Sequence, residues 1–240
     1  MSPGPLIVSL HLPKTAGTSF AEALRANARC GYRDDYADLP MQHAVRRRRL
    51  DAIRRGLALR GKLPADGGCI HGHFLAIKYR IALGRRPARF ITWMRDPVQR
   101  LASHYAYWHR DYDGSDPGQP LRNRMLREGW TFERFALGPE MRNVYAEYLW
   151  GVDLARFDFV GITEHYPEEL GRLAALLGPS FRPVHAAVLV NPDGDGGGYA
   201  VDPELRARIE SHHAADVALY RQALALREES SADLGMTMPA

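Results

Sequence analysis

Lysine is scarce in this chain: of its 32 basic Lys and Arg residues, only Lys14, Lys62 and Lys78 are lysine. Lys14 stands in LHLPKTAGTSF at 10–20, beside Gly17 and the hydroxyls of Thr15, Thr18 and Ser19. There an apolar run ends, a tight loop follows, and a helix opens at Thr18-Ser19. Backbone N–H groups of such a loop converge on one spot, and the helix dipole adds partial positive charge to it. Gly17 allows close approach to the backbone. Lys14, Thr15, Ala16, Gly17, Thr18 and Ser19 thus compose an oxyanion cradle for phosphate or sulfate. The spacing is not the GxxxxGK[ST] loop of nucleotide triphosphatases, because the lysine precedes the glycine. A plain strand-to-helix turn capped by Thr18 or Ser19 would use the same residue types.

A second cluster is RFITWMRDPVQRLASHY at 89–105. A strand ends at Arg95, Asp96-Pro97 makes the turn, and a helix follows with proline in its first turn. Arg95 projects from the carboxyl edge of a sheet. Arg100 and Ser103 share a helix face. Arg95 and Ser103 are placed to clamp a second phosphate through charge-assisted hydrogen bonds. The alternative is a capped helix with a structural Arg-Asp pair. A third cluster is His71-Gly72-His73. Free imidazole titrates near pH 6.5, so a neutral histidine can take a hydroxyl proton. Two histidines two apart on a strand share a face, which also suits a metal pair. No third ligand is evident, and core histidines would look the same.

These residues need elements to hold them. Apolar runs at 6–12, 69–73, 89–94 and 157–162 predict strands. Helical periodicity covers 18–29, 42–60, a stretch from Pro97, 121–128, 131–137, 140–150, 166–177 and 203–229. Strands alternating with helices predict an α/β protein. The expected layout is a P-loop-like three-layer fold, with a central parallel sheet flanked by helices. Ligands in such sheets bind beyond the carboxyl ends of the strands, where all three clusters lie. No repeat or boundary divides the chain, so one domain over 1–240 is expected. Flexible loops are expected at 113–120 and 191–198, and a frayed tail at 231–240.

Composition agrees with an ordinary globular protein: 45% apolar, 25% charged, formal net charge +4. Arginine richness also follows from coding bias. Cys30 and Cys69 form no CxxC pattern, so neither a disulfide framework nor a zinc site is expected, and a reducing compartment is the default. No apolar run is long enough to span a membrane. The run Arg46–Arg49 suits nucleic acid or another acidic surface; a solvated helix face is the plainer reading.

The paired segments PKTAGTSF at 13–20 and RDPVQRLASHY at 95–105 resemble the sulfotransferases that use 3′-phosphoadenosine 5′-phosphosulfate (PAPS). The similarity is to the carbohydrate branch that includes heparan sulfate 2-O-sulfotransferase. Weaker matches follow in family order: HGH at 71–73, NVYAEYLWG at 143–151, FVGITEHYPEEL at 159–170 and LYRQAL at 219–224. The resemblance implies that Lys14, Thr15, Gly17, Thr18 and Ser19 hold the 5′-phosphosulfate, while Arg95 and Ser103 hold the 3′-phosphate. It places the catalytic base at His73, with His71 assisting, and gives Lys14 the charge on the leaving group. PAPS would be the sulfuryl donor, with no metal, and a hydroxyl-bearing molecule the acceptor. Tyr199, at the end of the loop 193–199, would stack on the base as part of a lid; a surface loop is the alternative. Aromatic or arginine side chains between Tyr105 and Tyr112 would line the acceptor cleft.

The family often shows Gln and Arg where this chain has Tyr145 and Glu147, which argues against an anionic glycan acceptor. Saccharide, glycolipid and small-metabolite hydroxyls all fit. The chain begins at its first strand, so a cytoplasmic protein without membrane span or nucleic-acid partner is expected. A small-molecule kinase with a variant P-loop would instead need Mg²⁺ and a triphosphate. A basic nucleic-acid-binding protein would rest on the arginine run alone.

Overall fold

The computed structural model describes residues 4–28, 31–39, 41–110, 112–179, 181–182 and 198–233. Five strands make one sheet: β1 (Leu6–Leu10), β2 (Tyr32–Asp34), β3 (Cys69–Gly72), β4 (Ala88–Met94) and β5 (Phe159–Ile162). Their spatial order is β2-β3-β1-β4-β5, with every neighbouring pair parallel. Leu10 pairs with Gly72 on one side and with Thr92 on the other, so β1, β3 and β4 run out at nearly one level.

Side chains alternate through the sheet, as a strand's period of two requires. Leu6, Val8 and Leu10 join Ile70, Phe90, Val160 and Ile162 on one face. Helices α3 (Ala76–Leu83), α7 (Val144–Tyr148) and α10 (Ala214–Asp233) cover it. Cys69, Ile91, Trp93 and Phe159 face the other way, under α1 (Gly17–Asn27) and α8 (Tyr166–Leu177). Both faces are therefore sealed, and each buried aliphatic or aromatic side chain contributes about 1.5–3 kcal/mol. The expected three-layer arrangement with a central parallel sheet is what the chain adopts. A third apolar cluster sits among α4 (Pro97–His109), α5 (Pro120–Arg127), α6 (Phe132–Leu137) and α9 (Pro203–His212). Val98, Leu101, Met125, Phe135 and Ile209 form it. Helix α2 (Val45–Ala58) packs on α3, where Gly56 comes so close to the Lys78 carbonyl that a methyl group would not fit.

Several elements differ from expectation. Strand β2 and helix α3 have no counterpart in the sequence reading. The helix expected over 140–150 is a 3-10 turn at Pro139–Met141 and the short α7, separated by Asn143 in the left-handed region (φ 50). The long helix expected over 203–229 is broken at His213. Its Nε2–H donates to the Ala136 carbonyl at 2.7 Å and its Nδ1 accepts the Asn143 amide at 3.3 Å. The break lets α9 pack on α6 while α10 returns to the sheet. In the expected loop at 113–120, Asp113 and Asp116 accept the amides of Ser115 and Gly118. Cys30, residues 191–197 of the expected loop and lid, and residues 234–240 of the expected tail lie outside the described residues. Among the described residues no helix is long and apolar enough to cross a membrane.

Candidate active site

Strand β1 lies between β3 and β4, and the chain leaves it toward β2 and β3 before returning to β4 and β5. The crevice between the carboxyl ends of β1 and β4 is therefore the topological switch point of the sheet. Residues 11–17 follow β1 and Arg95 follows β4, so both arrive at this crevice.

The loop after β1 is held by its own contacts. Thr15 is buried, and its hydroxyl donates to the Leu12 carbonyl at 2.8 Å. This side chain thus serves the loop, leaving its backbone for a ligand. Lys14 and Ala16 both adopt positive φ (66 and 60). Ala16 is the N-cap of α1 and its side chain makes no capping hydrogen bond, so neither Thr18 nor Ser19 occupies the cap position. The structure describes the backbone of Thr18 and Ser19 but not their side chains. Gly17 also has a use that was not expected. A methyl group there would overlap the imidazole of His11, so the missing side chain makes room for that ring rather than for an anion alone.

Lys14 lies with its ammonium 4.0 Å from the centre of the Tyr107 ring. Burial, and then the guanidinium charges of Arg95 and Arg110, lower its pKa to about 8. Lys14 thus feels two other cations, and Arg95 and Lys14 have no carboxylate partner among the described residues. Arg95 is fixed through its backbone: the Tyr145 hydroxyl accepts its amide at 3.2 Å and donates to its carbonyl at 2.9 Å. Its guanidinium lies 5.9 Å from the ring of Tyr199. Tyr199 is clamped to α4 by two hydrogen bonds with the Gln99 amide, at 2.7 and 2.9 Å. Asp96 caps α4 by accepting the Gln99 amide, and it pairs with Arg206 at 3.1 Å. Ser103 is buried on the same helix. Arg100, which shares its face, is wholly buried, with no hydrogen-bond partner for any guanidinium nitrogen among the described residues. The Tyr145 ring lies 5.4 Å from the guanidinium, whose charge works against the burial that raises the pKa of Asp216.

The histidines gather beside the loop. His73 donates its Nδ1–H to the His11 carbonyl at 2.5 Å, since a carbonyl only accepts. Its lone pair is then on Nε2. Burial lowers the pKa of His73, so the ring is neutral at pH 7. His71 is buried, bonds the Ser9 hydroxyl at 2.9 Å, and is lowered to about 4, chiefly by burial. His11 lies against both, with ring centroids at 5.1 Å from His71 and 4.3 Å from His73. The three rings form a stack, and no group of His, Cys, Asp or Glu among the described residues is arranged to hold a metal. His73 is the more exposed of the motif's pair, with the Tyr36 ring edge-on at 4.9 Å. Gly72 lets the end of β2 press on β3, because a methyl group would strike the Asp35 carbonyl.

Four contributors were not singled out from sequence: His11, Tyr36, Tyr107 and Arg122. Tyr107 lies four residues beyond Ser103, one turn along the helix, and within the 105–112 stretch expected to line the cleft. Arg122 donates to the carbonyls of Tyr107, Trp108 and Arg110 at 3.1, 2.9 and 3.0 Å. It closes the carboxyl end of α4 and so fixes Tyr107 and Arg110 beside Lys14. Glu147, expected near an acceptor, is instead spent on Arg48 at 3.1 Å and Arg49 at 2.9 Å.

No protein-family model matches the chain, and no curated protein does. Among solved structures, it is similar to a sulfotransferase from Alicyclobacillus acidocaldarius. That match has TM-score 0.41 and 14% identity, and covers 99% of this chain and 98% of that one. It is also similar to mouse sulfotransferase SULT7A1 complexed with PAP, at TM-score 0.38 and 13% identity, covering 87% of this chain and 62% of that one. Both carry the general designation of sulfotransferase and not that of the heparan sulfate branch.

Proposed function

We propose that this chain transfers a sulfuryl group from PAPS to an acceptor hydroxyl. One observation carries the reading: the loop that bears Lys14 and the strand end that bears Arg95 open on the same crevice, and the Arg95 charge acts on Lys14. Such a juxtaposition costs the empty protein free energy and is relieved by a bound polyanion. The uncapped amino end of α1 adds N–H donors on the Lys14 side. The Tyr199 ring lies near Arg95, which suits a phosphate beside a flat base, and Ser103 on the following helix is assigned to the same phosphate from the sequence motif. The donor set therefore fits a nucleotide carrying negative charge at two separated places. The branch relationship to heparan sulfate 2-O-sulfotransferase rests on the sequence motifs alone.

The donor supplies the sulfuryl group and a stable nucleotide leaving group. His73 Nε2 accepts the acceptor proton while the His11 carbonyl holds the opposite nitrogen protonated. His71, behind His11, assists by packing rather than by contact with the acceptor. Lys14 and the amides of residues 15–19 meet the charge that grows on the departing oxygen, which is electrostatic stabilisation aimed at the transition state. A sulfuryl group carries one negative charge where a terminal phosphoryl carries about two, so lysine and amides suffice without a divalent ion. Tyr36 and Tyr107 flank this centre, each about half exposed (49% and 50%). They favour an acceptor with an apolar or ring face, such as a saccharide, glycolipid or small metabolite.

The test is a screen of hydroxyl acceptors with radiolabelled PAPS, scored by the mass gain of one sulfate, with chelator present. Sulfated product under chelation supports the reading. Transfer only from ATP with Mg²⁺ would replace it by a phosphotransferase.

A further inference from the structure

The arginine run at 46–49 finds only part of its explanation in the fold. Arg48 is buried and Arg49 half-buried, both paired with Glu147. Arg55 pairs with Asp51 at 2.6 Å. Arg46, Arg47 and Arg54 are exposed and have no ion pair among the described residues. Leu50 and Leu57 are exposed as well, at 52% and 49%.

At about 100° per residue, these five residues fall within one arc of about 100° on α2. Leu50 and Leu57 lie two turns apart along the middle of the arc. Arg46 flanks them on one side, and Arg54 and Arg47 on the other. The opposite face is fixed: Ala52 and Gly56 are buried, and Gly56 sits against the α3 backbone. The helix cannot roll to hide its leucines without losing that contact.

We propose that this outer face of α2 docks the protein on a bilayer of anionic phospholipid. A leucine line bordered by arginines is the pattern of an interfacial helix: the apolar line enters the headgroup boundary while the cations stay level with the phosphates. The guanidinium fork pairs with phosphate oxygens. The face carries three uncompensated positive charges and no unpaired acid, which is complementary to an anionic surface. A nucleic acid would use the same arginines but leave the two leucines idle, and the face has no aromatic side chain for a base to stack on. This surface acts independently of the reaction catalysed.

The experiment is co-sedimentation of the full chain with vesicles of phosphatidylcholine alone, or of phosphatidylcholine mixed with phosphatidylglycerol, at low and high salt. Two surface variants accompany it: Arg46→Gln/Arg47→Gln/Arg54→Gln and Leu50→Ser/Leu57→Ser. Circular dichroism checks that both variants are folded. The wild type is expected to sediment with the anionic vesicles only, and less at high salt. Removing the arginines weakens this about fivefold each, about a hundredfold together, matching about 1 kcal/mol per cation near an anionic surface. The leucine variant also loses vesicle binding. Three results overturn the proposal: no sedimentation of the wild type, sedimentation that both variants retain, or arginine-dependent binding to single-stranded RNA that the leucine variant keeps while vesicles are ignored.

Discussion

The depressed pKa of Lys14 makes nucleotide binding depend on pH in a way that ordinary lysines would not produce. The perturbation is a pH series from about 6.5 to 10 on the free protein, titrated with 3′-phosphoadenosine 5′-phosphate in a calorimeter, which needs no knowledge of the acceptor. Burial, Arg95 and Arg110 hold Lys14 at about 8. Below that value Lys14 is charged and attracts the phosphate; above it the charge is lost, so affinity is present at low pH and falls as pH rises through about 8. With that midpoint, about nine-tenths of the protein carries the charge at pH 7 and about one-tenth at pH 9. If only the charged form binds tightly, the apparent Kd rises about tenfold over that interval. The phosphates lose their second proton near pH 6, so above about pH 7 their ionisation adds little slope. His11 and His104, which also face Lys14, are held neutral by burial and stay out of the range. In Lys14→Arg the fall disappears, because a guanidinium stays protonated. A Kd flat to pH 9.5, or a fall that survives in Lys14→Arg, would refute the reasoning.

Other consequences are measurable. His73→Ala leaves the calorimetric Kd for the nucleotide within about twofold while sulfuryl transfer falls by about 10²–10⁴; Lys14→Ala loses both, and equal loss of binding in the two variants contradicts the division of labour. Tyr107→Leu removes a cation–π contact worth about 0.5–1 kcal/mol and moves the alkaline limb roughly half a pH unit lower. Tyr107→Phe leaves the limb in place, which a merely structural ring would not distinguish. Glu147→Ala strands the buried Arg48 and costs about 3–5 kcal/mol in urea unfolding, with acceptor preference unchanged if Glu147 is structural.

Much of the frame was legible because its signals are local. The buried strands β1, β4 and β5 are apolar runs bounded by turn residues, and each ends in a polar motif. Lys14 and Arg95 were legible for the same reason: a cation directly after a central strand has one place to go. Strand β2 was not, because Tyr32, Arg33 and Asp34 form a sheet edge whose side chains carry no apolar alternation. Helix α3 was hidden for the opposite reason. It is buried on most sides and shows no stripe, and it includes Lys78, whose partners Asp35 and Asp38 lie far away in sequence. Both acids precede β3, so the lysine reads as exposed until the strands are paired. His11 escaped notice because its ring matters only where Gly17 folds back on it. Glu147 was read as a substitute facing an acceptor, whereas its partners on α2 are distant in the chain and invisible to a local motif.

The most direct measurement compares nucleotides that differ by one phosphate. Calorimetry on the wild type and Arg95→Ala would use 3′-phosphoadenosine 5′-phosphate and adenosine 5′-monophosphate. With Arg95 gripping the second phosphate, its removal makes the bisphosphate bind as weakly as the monophosphate does to the wild type, and leaves the monophosphate unchanged. A wild type that does not prefer the bisphosphate, or an Arg95→Ala variant that weakens both ligands alike, would contradict the two-ended grip.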